Sequence, residues 1–234
     1  VDRGPAGAVD RPVDAATPSQ AFVGGVHDRV DRDRGDVALH HLHGDAHVGE
    51  NSPVPFIERD GARIHYRDEG AGPPLVLHTG GAGDGTMWDR AGYTERLPDH
   101  RLLVVDHRGR GLSDPVAAVT GHTREAYVSD VIAVADAAGA GRFVFAGYSM
   151  GAGVGYRLAA AHPDRVAALI AIGGAADEPG TPDDPAPLIE MLQTGGMAAL
   201  SDAIEADEGI TLPAWLRQNF DDTDAGQFVL SLRA

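Results

Sequence analysis

Phe143-Val144-Phe145-Ala146-Gly147-Tyr148-Ser149-Met150-Gly151-Ala152-Gly153 is the stretch on which the reading of the fold turns. A short apolar, aromatic-rich run enters Gly-x-Ser-x-Gly, and a run of small residues suited to a helix leaves it. A strand, a tight turn and a helix in that order lift a serine clear of the top of a sheet. The turn is so tight that the backbone at Ser149 is expected to be strained, and Gly147 and Gly151 leave room where a Cβ would strike a neighbour. The amide of Met150, in the first turn of the helix, is expected to point where a tetrahedral oxyanion would form.

On either side, strands and helices alternate. Val54 to Arg59 and Ala62 to Asp68 flank Asp60-Gly61, a strong hairpin signal. Pro74 to His78 reads as a buried strand, followed by the glycine-rich loop Thr79 to Gly85 and a short helix from Thr86 to Leu97. Arg101 to Asp106 is another buried strand. Thr123 caps a helix whose apolar residues, from Val128 to Ala138, recur at helical spacing up to Gly139. After the serine turn a helix runs to about His162, stopped by Pro163, and Val166 to Ile172 is a further buried strand. The pattern calls for a doubly wound α/β fold, a mostly parallel sheet with helices on both faces and an N-terminal hairpin.

The two ends differ in texture. Residues 1–52 are rich in Asp, Arg, Gly, Val and Pro without apolar period, and read as a disordered or non-native extension. Their His40, His41, His43 and His47 reflect composition and are not read as metal ligands. A chain beginning at Pro53 is expected to unfold at the same temperature as the whole. Residues 53–180 form the core, and 181–234 break into short helical pieces around Leu188 to Gln193, Met197 to Ala206 and Pro213 to Phe220. That last segment holds ten Asp and Glu against two Arg and reads as a partial helical cap.

Composition narrows the partners. The 234 residues carry a net charge of −16, no Cys and no Lys. The acidity disfavours nucleic acid and anionic membrane, and the missing Cys removes disulfides, thiolate metal sites and a cysteine nucleophile. No apolar run reaches eighteen residues and no secretory signal is visible, so the expectation is a soluble, cytoplasmic protein.

Three loops that follow neighbouring strands carry the chemistry: the serine turn, His78-Thr79-Gly80-Gly81, and Asp106-His107-Arg108-Gly109-Arg110-Gly111-Leu112-Ser113-Asp114. Together, over residues 54–234, they resemble the α/β-hydrolase superfamily, in particular its capped serine esterases, enol-lactonases and cofactor-free haloperoxidase-like enzymes. His162-Pro163-Asp164-Arg165-Val166 resembles the family too. The resemblance implies Ser149 as nucleophile, the amides of Met150 and Gly80 as oxyanion hole, and His78, Gly81, Asp106 and Arg108 as residues that shape the site. It implies no cofactor, no metal and a small-molecule ester or lactone as substrate. The family has Gly where this chain has Thr79, which leaves open which amide points inward. Epoxide and haloalkane hydrolysis place Asp at the turn, so Ser149 argues against both.

One departure stands out. The family's serine needs an acid and then a histidine later in the chain. The only histidine after Ser149 is His162, roughly 20 Å away along one helix at about 1.5 Å per residue. Asp177 or Glu178 would supply an acid but no base. The expectation is therefore an N-terminal part of such a fold lacking its last strands, inactive on simple esters beyond a weak background, with marginal stability and an open strand edge at Val166 to Ile172. The competing expectations are a ligand-binding member of the fold without turnover, or a cofactor-free peroxidase, a carbon–carbon bond hydrolase or a proline iminopeptidase of the same fold, which use the same serine.

Overall fold

A computed structural model describes residues 55–174 and 184–234. The expectations for residues 1–52, and for Asp177 and Glu178, lie outside the described residues. Six strands form one sheet in the order β1-β2-β4-β3-β5-β6. They are β1 (Phe56–Arg59), β2 (Ala62–Glu69), β3 (Pro74–His78), β4 (Arg101–Val105), β5 (Phe143–Tyr148) and β6 (Val166–Ile172). β1 and β2 form the expected hairpin, closed by Asp60 and Gly61, whose φ values of 50° and 80° are both left-handed. Two positive φ values suit the right-handed twist of the strands they join. β2 meets β4 antiparallel, and β4, β3, β5 and β6 run parallel.

The period of two along the central strands decides which core each side chain joins. Val76, Leu103, Val105, Phe143 and Phe145 point to one face, where they pack on Val131, Val134, Val154 and Leu158. Those four belong to helices α2 (Arg124–Ala137) and α3 (Met150–Ala161). Leu75, Leu77, Leu102, Val104 and Ala146 point to the other, against Trp88 of α1 (Thr86–Arg90). Thr123 caps α2 as its sequence suggests, its hydroxyl accepting from the Ala126 N–H at 3.2 Å. β6 is the edge strand on the parallel side of the described sheet, and Ile170 on it is 47% exposed.

Two stretches depart from the sequence reading. The helix expected over Thr86 to Leu97 ends at Arg90, because Gly92 turns left-handed (φ 73°) and its N–H returns to the Asp89 carbonyl at 2.8 Å. A separate 3₁₀ turn covers Thr94–Arg96. In the C-terminal helical layer the first two expected pieces are one helix, α4 (Ala186–Glu208), kinked at Gly196. α5 (Ala214–Asp221) follows, and then α6 (Ala225–Leu232), which the sequence reading omitted. α6 has eight residues and contains Gly226, so its apolar period is short. Its start is fixed by Asp224, whose carboxylate accepts from the Gln227 N–H at 3.0 Å. The layer has its own core of Leu188, Leu192, Leu200, Phe220 and Phe228, which reaches the sheet domain at Ala82. Among the described residues no helix is long and apolar enough to cross a membrane.

Candidate active site

Ser149 lies between the last residue of β5 and the first of α3, with φ 51° and ψ −118°. Its N–H donates to the Ile172 carbonyl of β6 at 2.8 Å, and its carbonyl accepts from Ala152 N–H at 2.8 Å. The backbone is therefore fixed from both sides in a conformation that costs a non-glycine residue about 1–3 kcal/mol. Ser149→Gly should raise the unfolding free energy by about 1 kcal/mol, read from urea denaturation. A lower stability would mean that the turn is not strained.

The flanking glycines permit this geometry. A Cβ on Gly147 would overlap the Gly151 carbonyl, and one on Gly151 would lie 2.6 Å from the carbonyls of both His78 and Thr79. Any side chain there would push α3 off the loop after β3. That loop comes directly against the serine: a Cβ on Gly80 would sit 3.2 Å from Ser149 Cβ and 3.3 Å from the Tyr148 ring. Ser149, Met150 and Gly80 are thus brought together. Met150 opens α3, so its amide is one of the donors that a helix start leaves without an intrahelical acceptor.

The remaining expected residues sit behind this group. His78 is buried beneath the loop, its Nδ1 3.0 Å from the Thr79 carbonyl, and its ring stacks on His107 at 5.3 Å and 16°. Burial lowers the His78 pKa to about 4. Asp106 joins three segments. Its Oδ1 accepts from Gly85 N–H at 2.8 Å, and its Oδ2 accepts from Leu112 N–H at 3.1 Å and faces His65 Nδ1 at 2.7 Å. Arg108 forms a two-pronged pair with Asp130 of α2, at 2.7 Å for each bond, and its Nη2 also donates to Asp60 at 2.9 Å. Gly81 meets the helical layer, since a Cβ there would lie 2.7 Å from the Phe228 ring.

The sequence reading missed Arg110. It is buried, donates from Nε to the Gly81 carbonyl at 2.7 Å, and stands 5.6 Å from the centre of the Phe228 ring. Nothing local separates it from Arg108: both are arginines in one polar, glycine-rich loop, and only the packing of α6 covers Arg110.

Among the described residues the loop after β3 and the start of α3 meet at Ser149, and His107 has no hydrogen-bond partner on either ring nitrogen. The hydrogen bonds of His65, His78 and His122 go to Asp106, to the Thr79 carbonyl, and to Tyr127 and the Val116 carbonyl. His162 lies at the far end of α3.

Residues 73–201, more than half of the chain, match the family described as the alpha/beta hydrolase fold. The chain is 34% identical over 122 residues to a non-heme haloperoxidase of Rhodococcus erythropolis, covering 51% of this chain and 44% of the relative. Among solved structures it is similar to the bottromycin epimerase BotH in complex with bottromycin A2, with a TM-score of 0.67, 30% identity, and 76% and 70% of the two chains covered. It is also similar to the enol-lactonase from Burkholderia xenovorans LB400, with a TM-score of 0.63, 28% identity, and 77% and 72% covered. The chain spans less than half the length of the haloperoxidase that it matches. With the strained serine turn, the sheet order and this match in agreement, the chain belongs to the α/β-hydrolase fold family.

Proposed function

We propose that this chain carries the nucleophile and oxyanion half of a serine hydrolase acting on a small carboxylic ester or lactone. In this reading Ser149 Oγ attacks the acyl carbon and gives its proton to a base. The negative charge on the carbonyl oxygen is met by the N–H groups of Met150 and Gly80, and collapse of the adduct expels an alkoxide that takes a proton. Water then repeats the sequence on the acyl-enzyme. The observation that carries the reading is the strained Ser149 with Gly80 packed against it. An enol-lactonase among the similar structures supports the substrate class. The only histidine after Ser149 is His162, at the far end of α3, so turnover by this chain alone is proposed to be weak.

The test is reaction of the chain with a fluorophosphonate, with the adduct mapped by mass spectrometry. Labelling should be confined to Ser149 and absent in Ser149→Ala. It should be at least about 10³-fold slower than in a complete serine hydrolase, for want of the base. Fast labelling would refute the missing base, and labelling spread over many serines would refute the nucleophile.

A second reading is a member of the fold that does other chemistry or only binds. It is favoured by one similar structure being an epimerase. Under it, Ser149 would show no selective labelling at any pH.

A further inference from the structure

A polar cavity of about 180 Å³ lies where α5 and α6 meet the loops after β3 and β4. Gly83, Asp84, Arg110, Asn219, Asp222 and Asp224 form much of its wall. Among the described residues its lining does not include Ser149.

Its inner wall is unusual in charge and in hydrogen bonding. Arg110 is only 3% exposed, and its bonded nitrogens reach two backbone carbonyls, of Gly81 at 2.7 Å and Gly109 at 2.9 Å, which bring no countercharge. Its Nη2 has no partner. Burial pulls its pKa down to about 10, so it remains a cation at neutral pH. A buried cation costs several kcal/mol unless it is paired, and the carboxylate that partly supports its charge is Asp224 on the rim. Asn219 is 5% exposed, and its Oδ1 also lacks a partner. The inner wall therefore has an unused charged donor and an unused acceptor. The rim has the opposite balance, with the carboxylates of Asp84, Asp222 and Asp224 against the single guanidinium of Arg90.

We infer that this cavity binds a small amino-acid-like zwitterion, its carboxylate on Arg110 and its ammonium between Asn219 Oδ1 and the rim carboxylates. A simple carboxylate would satisfy Arg110 but meet three negative groups on entry. A simple amine would suit the rim and be repelled by Arg110. A zwitterion suits both. The volume corresponds to a handful of waters at about 30 Å³ each, the space taken by an amino acid the size of glycine or alanine. Arg110 and Asn219 both line the cavity; the guanidinium keeps its bonds to Gly81 and Gly109 and meets the carboxylate through its charge, while Asn219 presents Oδ1 by a turn about its terminal torsion, which is soft for a planar amide. The site joins the helical layer to Gly81, next to the serine loop, so occupancy stiffens that junction.

The experiment is titration of the ¹⁵N-labelled full chain with glycine, followed on the amides of Gly83, Gly109 and Thr223, with sodium acetate and ethylamine as comparisons. Glycine should give saturating shifts, acetate binding at least about tenfold more weakly and ethylamine giving none. Arg110→Met should abolish the glycine shifts, and Ser149→Ala should leave them unchanged. Asp222 is exposed, so Asp222→Asn tests the rim without touching the core. It should weaken glycine binding by about threefold and narrow the difference from acetate. No saturation up to about 100 mM glycine, equal affinity for glycine and acetate, persistence in Arg110→Met, or unchanged affinity in Asp222→Asn would each overturn the inference.

Discussion

Arg108→Met is expected to destabilise the chain by about 3–5 kcal/mol, a large share of a typical total of about 5–15 kcal/mol. Arg108 and Asp130 are each 2% exposed and joined by two bonds of 2.7 Å. Removing the guanidinium leaves a carboxylate enclosed beside α2 with no counterion. Burial already pulls the Asp130 pKa upward, and the bonds from Arg108 are what oppose it. The cost therefore comes from the stranded charge more than from the lost attraction. Two further variants separate these contributions. Arg108→Met with Asp130→Leu should recover most of the loss, since an apolar pair of similar volume needs no counterion. Asp60→Asn should cost far less than Arg108→Met, because Asp60 is 63% exposed and its bond to Arg108 is screened by water. Urea denaturation at pH 7 reads all three. A loss below about 1 kcal/mol in Arg108→Met would show that the pair is not what ties the post-β4 loop to α2.

Mild acid should unfold this protein through two buried, stacked histidines. His78 and His107 are stacked and enclosed, with Tyr127 edge-on to His107 at 5.3 Å and Asp106 and Arg110 as the nearest charged groups. Burial lowers His78 to about 4 and His107 well below its ordinary value. Both are neutral in the folded state near pH 6, whereas in the unfolded chain they titrate near 6.5. Below that value the unfolded state binds more protons, so stability falls as pH falls. His78 alone removes about 2 kcal/mol between pH 7 and pH 5, and His107 adds a second proton of the same sign. His122, also lowered by burial, acts in the same direction. His107 makes no hydrogen bond from either ring nitrogen, so His107→Phe keeps a flat ring in the stack and removes one proton from the linkage. The slope of unfolding free energy against pH between 6 and 5 should fall by about 1 kcal/mol per pH unit in that variant. An unchanged slope would mean that other groups set the acid limit.

Most of the scaffold is local information. Pro74 to His78 and Val166 to Ile172 are strands because short apolar runs between turn residues have one stable use in a doubly wound sheet. The serine turn was legible for a related reason: Gly147, Ser149 and Gly151 sit at fixed offsets between a strand pattern and a helix pattern, and the conformation they permit is set by sterics within five residues. Local signals failed where one residue outweighed a period. Gly92 cut short a helix, Gly196 kinked one without ending it, and α6 was too brief to show a stripe.

By itself, then, the sequence determined the strands, the parallel sheet and the serine turn, because each rests on backbone geometry repeated over a few residues. Only the tertiary structure decided what the polar residues do. Arg108 and Arg110 are two positions apart in one loop, yet one meets Asp130 and Asp60 from distant segments while the other is closed over by Phe228 with a nitrogen unpaired. Likewise, no spacing foretold that His78 and His107 would stack or that Asn219 would face the loop after β3. Whether a charge is paired, stranded or left for a ligand depends on groups 20 to 140 residues away brought together by packing, and burial then sets its energy.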